Sequence, residues 1–422
     1  MISYNYFGKE QKVYYDKLKN GLDVYIVPNK SSGNYYIELV VKYGSNIKEF
    51  KPLNSNNFLK LPLGVAHFLE HKVFDVEGVD PFAFYSKTGT YVNAGTNYLS
   101  TKYYIDGKKN LKKNLDYLIT MVTTPYFKEE KVISEQGIIA EEIKMYDDEA
   151  DWILDSEVKK SLFKTTFNEK IAGTVESIKE ITSDILTKTY DTFYQPSNMF
   201  LVASGNVKPE EIINILKENV AINQRITNRP IVCKNNKETI EVVSEYKCLN
   251  ANIVVPKLSY SYKFDLDDYP FDRLLTRLYL NLLFTHLFGD TSVFNESVRQ
   301  KKLAINFYMD HLSFDNIYAL TIEAESEFAD LFKDEVDYVL KNISITEEEF
   351  IRIKKIWISV IIRSLDNKEN IAYSIVDDII KDGKIYDQHE LIESLNYNDL
   401  LKLIKKIDWN NKSFVLMVPN EK

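Results

Sequence analysis

The stretch PLGVAHFLEHKVFD, at residues 62–75, contains His67, Glu70 and His71 within five residues of a segment that predicts a helix. An α-helix repeats every 3.6 residues, so the two histidines lie on one face, one turn apart, with both imidazoles pointing the same way. This is a common way of supplying two ligands to one tetrahedral zinc ion. Glu70 sits near the same face and is placed to take a proton from a metal-bound water rather than to bind the metal.

The zinc interpretation competes with a simpler one, in which the two histidines and Glu70 only share a solvated helix face. The chain has 5 His in 422 residues, so two of them in this register are hard to attribute to chance. The remaining faces of the helix carry apolar side chains that can bury it, namely Val65, Phe68, Leu69, Val73 and Phe74. The order His-x-x-Glu-His, the reverse of the commoner zincin motif, is the inverzincin signature. We therefore predict a zinc site here.

Length and charge limit the class of protein. A chain of 422 residues is too long for one ordinary core, so two or more domains are expected. The net charge of -9 argues against a nucleic-acid partner. No apolar run in the sequence is long enough to predict a signal peptide or a membrane span, and we predict a cytoplasmic location.

The two halves of the chain show a related order of strands and helices. NMFLVASGN at residues 198–206 ends the first half as KSFVLMVPN at residues 412–420 ends the second, which suggests a tandem duplication of an α+β unit. The polar stretch at residues 223–237 is the predicted linker between an N-terminal domain, 1–222, and a C-terminal domain, 238–422. Strands are predicted at residues 239–243 and 251–255, early in the second half.

A third metal ligand must come from elsewhere in the chain, because two histidines leave a zinc site incomplete. The predicted helix at residues 129–148 carries Glu135 and Glu142 seven residues apart, and therefore on one face. Glu142 is the predicted ligand, with 70 residues between it and His71. Spacing alone does not select it, since Glu141 adjoins it and the chain has 62 acidic residues.

These motifs resemble the pitrilysin-like metallopeptidases, the family that includes insulysin and the mitochondrial processing peptidase. In that family His-x-x-Glu-His is followed by Glu-x6-Glu, whose second Glu is the ligand, and Glu135 and Glu142 fit this spacing whereas Glu141 does not. The resemblance covers essentially the whole chain, and further matching segments follow in the family's order: Gly44-Ser45, Asn93-Ala94 with Thr101 and Tyr103, GTVES, YQPSNM and FGDTS. It implies two homologous α/β-sandwich domains that form half of a clamshell, with a zinc-binding N-terminal domain and a C-terminal domain without zinc.

The resemblance also implies a function, zinc-dependent hydrolysis of peptide bonds, with one Zn2+ per chain. Glu70 would act as the base, and Glu135 would orient a ligand from behind. The predicted strand at residues 91–94 would bind an extended peptide along its edge, with Asn93 and Ala94 nearest the scissile bond. An ordinary edge strand is the alternative interpretation of the same segment. Short or leader peptides are the substrates that the resemblance suggests.

The second half departs from the family at one place. Family members usually carry an Arg and, seven residues later, a Tyr that face the substrate carbonyl. Here Arg299 is present, Asn306 stands where the Tyr is expected, and Tyr308 is out of register. We therefore expect this subunit to supply the zinc and a homologous zinc-less partner to supply the missing pair in a heterodimer, with a homodimer as the alternative.

Two other functions fit parts of the sequence. The first is a non-catalytic scaffold member of the same family, but such proteins typically lose part of the zinc motif, which is intact here. The second is a peptide-binding chaperone with a structural zinc ion. Structural zinc sites are usually closed by four protein ligands, whereas this chain offers three, so a catalytic site is favoured.

Overall fold

The computed structural model of the protein describes residues 1–8, 11–29, 31–78, 80–225, 229–234 and 237–420. Residues 226–228 and 235–236 of the predicted linker lie outside this described part. The strands follow one another as β1 (Ile2–Phe7), β2 (Gln11–Lys17), β3 (Asp23–Pro28), β4 (Tyr35–Val41), β5 (Glu49–Phe50), β6 (Leu59–Lys60), β7 (Tyr91–Thr96), β8 (Thr101–Gly107), β9 (Met199–Gly205), β10 (Tyr246–Ala251), β11 (Lys257–Asp265), β12 (Asn306–Phe314), β13 (Ile317–Glu325) and β14 (Lys412–Pro419).

The α-helices occupy most of the remaining chain. They are α1 (Val65–Val73), α2 (Pro81–Thr88), α3 (Leu111–Thr123), α4 (Glu129–Asp147), α5 (Ala150–Leu162), α6 (Val175–Lys179), α7 (Ser183–Phe193), α8 (Pro209–Glu218), α9 (Val220–Gln224), α10 (Arg273–Phe288), α11 (Val293–Lys301), α12 (Ala329–Lys341), α13 (Glu347–Ser364), α14 (Lys368–Asp382), α15 (Gln388–Ser394) and α16 (Tyr397–Ile404). No helix within the described ranges has the length and hydrophobicity needed to span a membrane.

The chain forms two compact units, and neither is continuous in sequence. The first contains Met1–Lys144, Lys170–Asn235 and Ile361–Glu390, and the second contains Met145–Glu169, Asn236–Val360 and Leu391–Lys422. Each unit thus includes a helical segment from the other side of the predicted linker. The predicted domain boundaries at residues 222 and 238 stay a prediction about the two halves of the sequence.

A seven-stranded sheet in the order β1-β2-β3-β9-β4-β8-β7 organises the first unit. β9 lies between β3, to which it is parallel, and β4, to which it is antiparallel. Every residue of β4 and of β9 is buried, because helices cover both faces of the sheet at these central strands. Ile37 and Leu39 face the larger apolar core, whereas Tyr36 and Val40 pack with residues of α14 on the opposite face. This two-sided burial explains the continuous apolar run in YYIELVV.

The second unit repeats this strand arrangement. Its five-stranded sheet has the order β10-β14-β11-β13-β12, in which β14 is parallel to β10 and antiparallel to β11. The strand that ends each half, β9 or β14, is therefore inserted between a parallel and an antiparallel neighbour in the same way. The helix α5 packs against β11 and β14 of this sheet. The predicted α+β duplication is confirmed, and the similar segments NMFLVASGN and KSFVLMVPN are equivalent strands.

The two strands predicted at residues 239–243 and 251–255 are wrong; the structure has β10 and β11 instead. The backbone of the first segment bonds elsewhere, since the Val243 N–H donates to the carbonyl of Ser161 (2.8 Å) and the Glu241 carbonyl lies 3.4 Å from Nζ of Lys263. Residues 252–256 connect β10 to β11, and Val254 in this connection is 92% exposed. A short apolar run does not by itself show which groups form hydrogen bonds with its backbone N–H and C=O groups.

Candidate active site

The helix α1 begins where two glycines meet. Gly64 caps the helix with φ +90°, and a Cβ there would lie 2.4 Å from the carbonyl oxygen of Ala172. Gly173 has φ +77°, and a Cβ there would lie 2.6 Å from the carbonyl oxygen of Leu63. The Ser177 hydroxyl donates to the same Leu63 carbonyl (3.0 Å). The GTVES segment noted in the sequence thus holds the start of α1 by close backbone packing that only glycine permits.

The faces of α1 divide as the helical repeat predicts. His67, Glu70 and His71 are half-buried on one side, and the buried residues of the helix are Val65, Ala66, Phe68, Leu69, Lys72 and Val73. Phe74, expected to help bury the helix, follows its last turn and is half-buried. The apolar side chains thus anchor the helix in the first unit's core and leave the three polar groups at its surface.

The structure brings His67, His71 and Glu142 together. One potential ligand atom from each lies within 4.8 Å of the others, and these residues form the one such group of three within the described part of the chain. Nε2 of His71 is 3.5 Å from Oε2 of Glu142, and Nε2 of His67 is 3.8 Å from Oε1. Ligand atoms about 2 Å from a tetrahedral zinc ion are roughly 3.3 Å apart, so this donor set fits zinc with small adjustments.

The neighbouring carboxylate is directed elsewhere. Glu141 has a 76% exposed side chain and pairs with Lys144 at 2.7 Å, whereas the side chain of Glu142 is 23% exposed and faces both histidines. The structure therefore distinguishes two glutamates that sequence spacing alone left open.

Glu135 contacts His71 on the side of the ring that faces away from Glu142, and its role in orienting a ligand stays a prediction. Its Oε1 is 3.0 Å from Nδ1 of His71. When Nδ1 carries the proton, its N–H donates a hydrogen bond to this carboxylate. Nε2 then keeps its lone pair free for a metal. For His67, Nδ1 is buried and has no hydrogen-bond partner among the described residues. The two histidines are thus held differently, one by a carboxylate and one by packing.

The surroundings of the two histidines shift their pKa values in opposite directions. Burial lowers the pKa of His67 to about 3, and repulsion from His71 acts in the same direction. Burial also acts to lower the pKa of His71, but the hydrogen bond to Glu135 and the charges of the surrounding glutamates outweigh it and raise the pKa above its usual value. The low pKa of His67 favours the neutral form that a metal ligand needs, whereas the raised pKa of His71 means that a proton on Nε2 competes more strongly with a metal.

Glu70 is held by a residue that the sequence did not identify as functional. The hydroxyl of Thr96 donates to Oε2 of Glu70 (2.6 Å). Burial raises the pKa of Glu70, and the hydrogen bond from Thr96 opposes part of that rise. Thr96 lies beyond the strand predicted at residues 91–94, and it is the last residue of β7. The alternation along Val92, Ala94 and Thr96 was the available signal, because it assigns all three side chains to one face.

The strand β7 lies at the end of its sheet and, within the described part of the chain, pairs with β8 alone. Asn93 and Ala94 lie in this edge strand, as predicted. The Ala94 N–H donates to Oδ1 of Asn93 (2.9 Å), and the Asn93 amide donates to the hydroxyl of Tyr91 (2.9 Å). The side chain of Asn93 therefore occupies a main-chain donor that an added peptide strand could use.

Arg299 belongs to the second compact unit, whereas the histidine cluster belongs to the first. Its side chain is 76% exposed and its guanidinium pairs with Glu296 at 2.7 Å. Asn306 donates to Glu325 (3.1 Å), and the Tyr308 hydroxyl donates to Glu323. The substrate-binding role assigned to Arg299 stays a prediction.

Two family models match the chain in succession. Residues 56–175 match the model described as Insulinase (Peptidase family M16), and residues 180–356 match the one described as Peptidase M16 inactive domain. Over 415 residues the chain is 35% identical to the uncharacterized zinc protease YmfH of Bacillus subtilis (strain 168), covering 94% of each protein. The chain belongs to the insulinase family. The resemblance to pitrilysin-like metallopeptidases is confirmed, and the histidine motif with both glutamates lies within the first match.

Solved structures show the insulinase-family fold along the whole chain. An M16-like peptidase from Alicyclobacillus acidocaldarius superposes with a TM-score of 0.89 at 24% identity, covering 98% of this chain and 100% of that one. The periplasmic protease PqqL from Escherichia coli superposes with a TM-score of 0.74 at 17% identity, covering 99% of this chain and 48% of PqqL. This insulinase-family chain therefore aligns with about half of PqqL.

Proposed function

We propose that the protein is a zinc-dependent endopeptidase that hydrolyses peptides bound in extended form. The observation that supports this most strongly is the meeting of His67, His71 and Glu142 beside Glu70, in a chain of the insulinase family. A base beside a three-ligand metal site suits metal-dependent hydrolysis, and an edge strand in the same unit can bind a peptide in extended form.

The protein's own groups have distinct tasks in this proposal. Zinc, when bound, supplies a Lewis acid that polarises a water molecule and the peptide carbonyl. Glu70 accepts a proton from the attacking water and returns it to the leaving amine. Its burial suits it to the first step, since a raised pKa makes the carboxylate a stronger base. Thr96 holds one oxygen of Glu70, which leaves the other available for proton transfer.

The substrate would add to the free edge of β7 as a further strand. Main-chain hydrogen bonds would then supply affinity without fixing the sequence of the peptide. Binding requires the Asn93 side chain to leave the Ala94 N–H, which the incoming carbonyl takes over. Short or leader peptides are the proposed substrate class, by family resemblance.

We further propose that activity requires a second subunit of the same fold. The alignment of this chain with about half of PqqL supports a two-half assembly, and the Asn306 departure supports a partner that supplies the missing Arg and Tyr. A heterodimer with a zinc-less homologue is expected, with a homodimer as the alternative. Size-exclusion chromatography combined with a peptidase assay tests this. Full activity of the isolated chain, as a monomer or a homodimer, contradicts the heterodimer.

The test of the chemistry compares Glu70→Gln with Glu141→Gln. Zinc content and cleavage of a quenched peptide library are measured for each variant, alone and with the partner subunit. Glu70→Gln should bind one zinc per chain and lose activity by at least about 100-fold, because the proton acceptor is gone. Glu141→Gln should keep both properties, since Glu141 faces solvent. A wild-type chain that binds zinc but cleaves nothing in any combination would instead be a scaffold member of the family.

A further inference from the structure

Lys72 directly follows the second histidine of the motif and has a completely buried side chain. A buried ammonium group is costly unless it is paired and hydrogen-bonded. Nothing in the proposed catalytic cycle uses this lysine. Its place at the carboxyl-terminal turn of α1 accounts for part of its stabilisation, because a cation there opposes the negative end of the helix dipole. The rest must come from the groups around its ammonium.

Three oxygens surround Nζ of Lys72. It donates to the carboxylate of Asp75 and to the backbone carbonyl of Lys131, 3.3 Å away in the first turn of α4. The third oxygen is Oε2 of Glu135, at 3.8 Å, which is ion-pair rather than hydrogen-bond distance. Lys72 therefore links α1, which carries the two histidines, to α4, which carries Glu135 and Glu142.

The two oxygens of Glu135 have different partners. Oε1 meets Nδ1 of His71 at 3.0 Å, and Oε2 faces the ammonium of Lys72. The Glu135 side chain is only 14% exposed, so little water can replace Lys72 beside Oε2. Without the ammonium, this carboxylate would be buried with one unpaired oxygen and would be drawn toward solvent, away from His71.

We propose that Lys72 is a positioning residue that sets the zinc ligand His71 through Glu135. This inference rests on the proposed zinc site. Lys72 fixes the carboxylate, the carboxylate fixes the Nδ1 proton of His71, and the ring then presents Nε2 to the metal beside Glu142. Loss of groups that orient metal ligands typically weakens metal binding about 10–100-fold.

The charge of Lys72 acts in the opposite direction. An ammonium near a dication repels it, so removing the charge alone would strengthen zinc binding. The change in zinc affinity on removal of Lys72 is therefore the net of two opposing effects. A net loss of affinity means that the loss of positioning outweighs the gain from removing the charge. In a chain without the Glu135 carboxylate only the charge effect remains, and removal of Lys72 should leave zinc binding unchanged or stronger.

The experiment titrates the metal-free full-length protein with zinc in competition with a chelator of known affinity. Four forms are compared: wild type, Lys72→Met, Glu135→Gln and the double variant. Lys72→Met should weaken zinc binding about 10-fold, whereas the same change in the Glu135→Gln background should weaken it less than twofold or strengthen it. A merely structural lysine would give equal losses in both backgrounds.

Thermal unfolding of the metal-free forms separates positioning from folding. Lys72→Met leaves the carboxylates of Asp75 and Glu135 without their cation and should lower the melting temperature, so a control with a similar loss of stability is needed. The second variant is Lys72→Gln, which keeps hydrogen-bond donors without the charge. It should also weaken zinc binding more in the wild-type background than in the Glu135→Gln background. The matched control is Lys263→Met, which removes another fully buried lysine paired with a glutamate, Glu238 at 2.8 Å. It should lower the melting temperature and leave zinc affinity unchanged.

Zinc affinity that is equal or higher in Lys72→Met, or equal losses in the two backgrounds, would overturn the inference while leaving the zinc site intact. A wild-type chain that binds no zinc would overturn the zinc site itself and the inference with it.

Discussion

Replacing Gly64 by alanine should destabilise the first unit and weaken its metal site together. The left-handed conformation of Gly64, φ +90°, costs an alanine about 1–2 kcal/mol. The new Cβ would also lie 2.4 Å from the Ala172 carbonyl oxygen, a backbone atom that cannot move aside without displacing the segment that holds α1. Such overpacking typically costs about 1–3 kcal/mol. The sum is about 2–5 kcal/mol, or a melting temperature lower by roughly 5–15 °C.

Differential scanning calorimetry of the metal-free protein measures the first effect, and zinc titration against a chelator measures the second. The control is Gly137→Ala in α4, between Glu135 and Glu142, where an added Cβ meets nothing within 4 Å. Alanine there replaces a helix-interior glycine, so it should raise stability by about 0.5–1 kcal/mol and leave zinc affinity unchanged.

An unchanged melting temperature in Gly64→Ala would refute the argument that the close backbone packing of Gly64 against Ala172 supports the site. A lower melting temperature with unaltered zinc affinity would refute the second step, in which the start of α1 sets the positions of His67 and His71. Equal changes of melting temperature and zinc affinity in Gly64→Ala and Gly137→Ala would show that the room available for the added Cβ does not determine these effects.

Two further predictions concern single contacts. Thr96→Val removes the 2.6 Å hydrogen bond to Glu70 and should lower kcat about 10-fold with zinc content unchanged. Thr96→Ser keeps the hydroxyl and should retain activity. Equal activity of the two variants would contradict a role for the Thr96 hydroxyl in holding Glu70. Burial, together with the charge of Asp377, raises the pKa of Asp378 in α14 to about 7. The protonated form of Asp378 therefore contributes stability that is complete below about pH 4 and is lost as the pH rises to about 7. The melting temperature of Asp378→Asn relative to wild type should therefore increase between pH 4 and 7 and stay constant above; a difference independent of pH would contradict it.

Helical periodicity was enough to predict the parts of the site that share one helix face. The spacing of His67, Glu70 and His71 places them on one face of any helix that forms there, and seven residues place Glu135 and Glu142 on one face of another. The duplicated strand pattern was also readable, since the segments that became β9 and β14 are similar in sequence. These features depend on residues close together in sequence, so they do not require knowledge of the tertiary contacts.

The contacts between groups on different elements could be identified only from the folded structure. Thr96 reaches Glu70, and Lys72 reaches Glu135, only because β7, α1 and α4 pack together in the first unit. Each of these contacts joins residues 26 or more positions apart, and their pairing depends on core packing and sheet order rather than on local pattern. The same reason explains the wrong strands at residues 239–243 and 251–255, where local hydrophobicity was present and the backbone partners lay elsewhere.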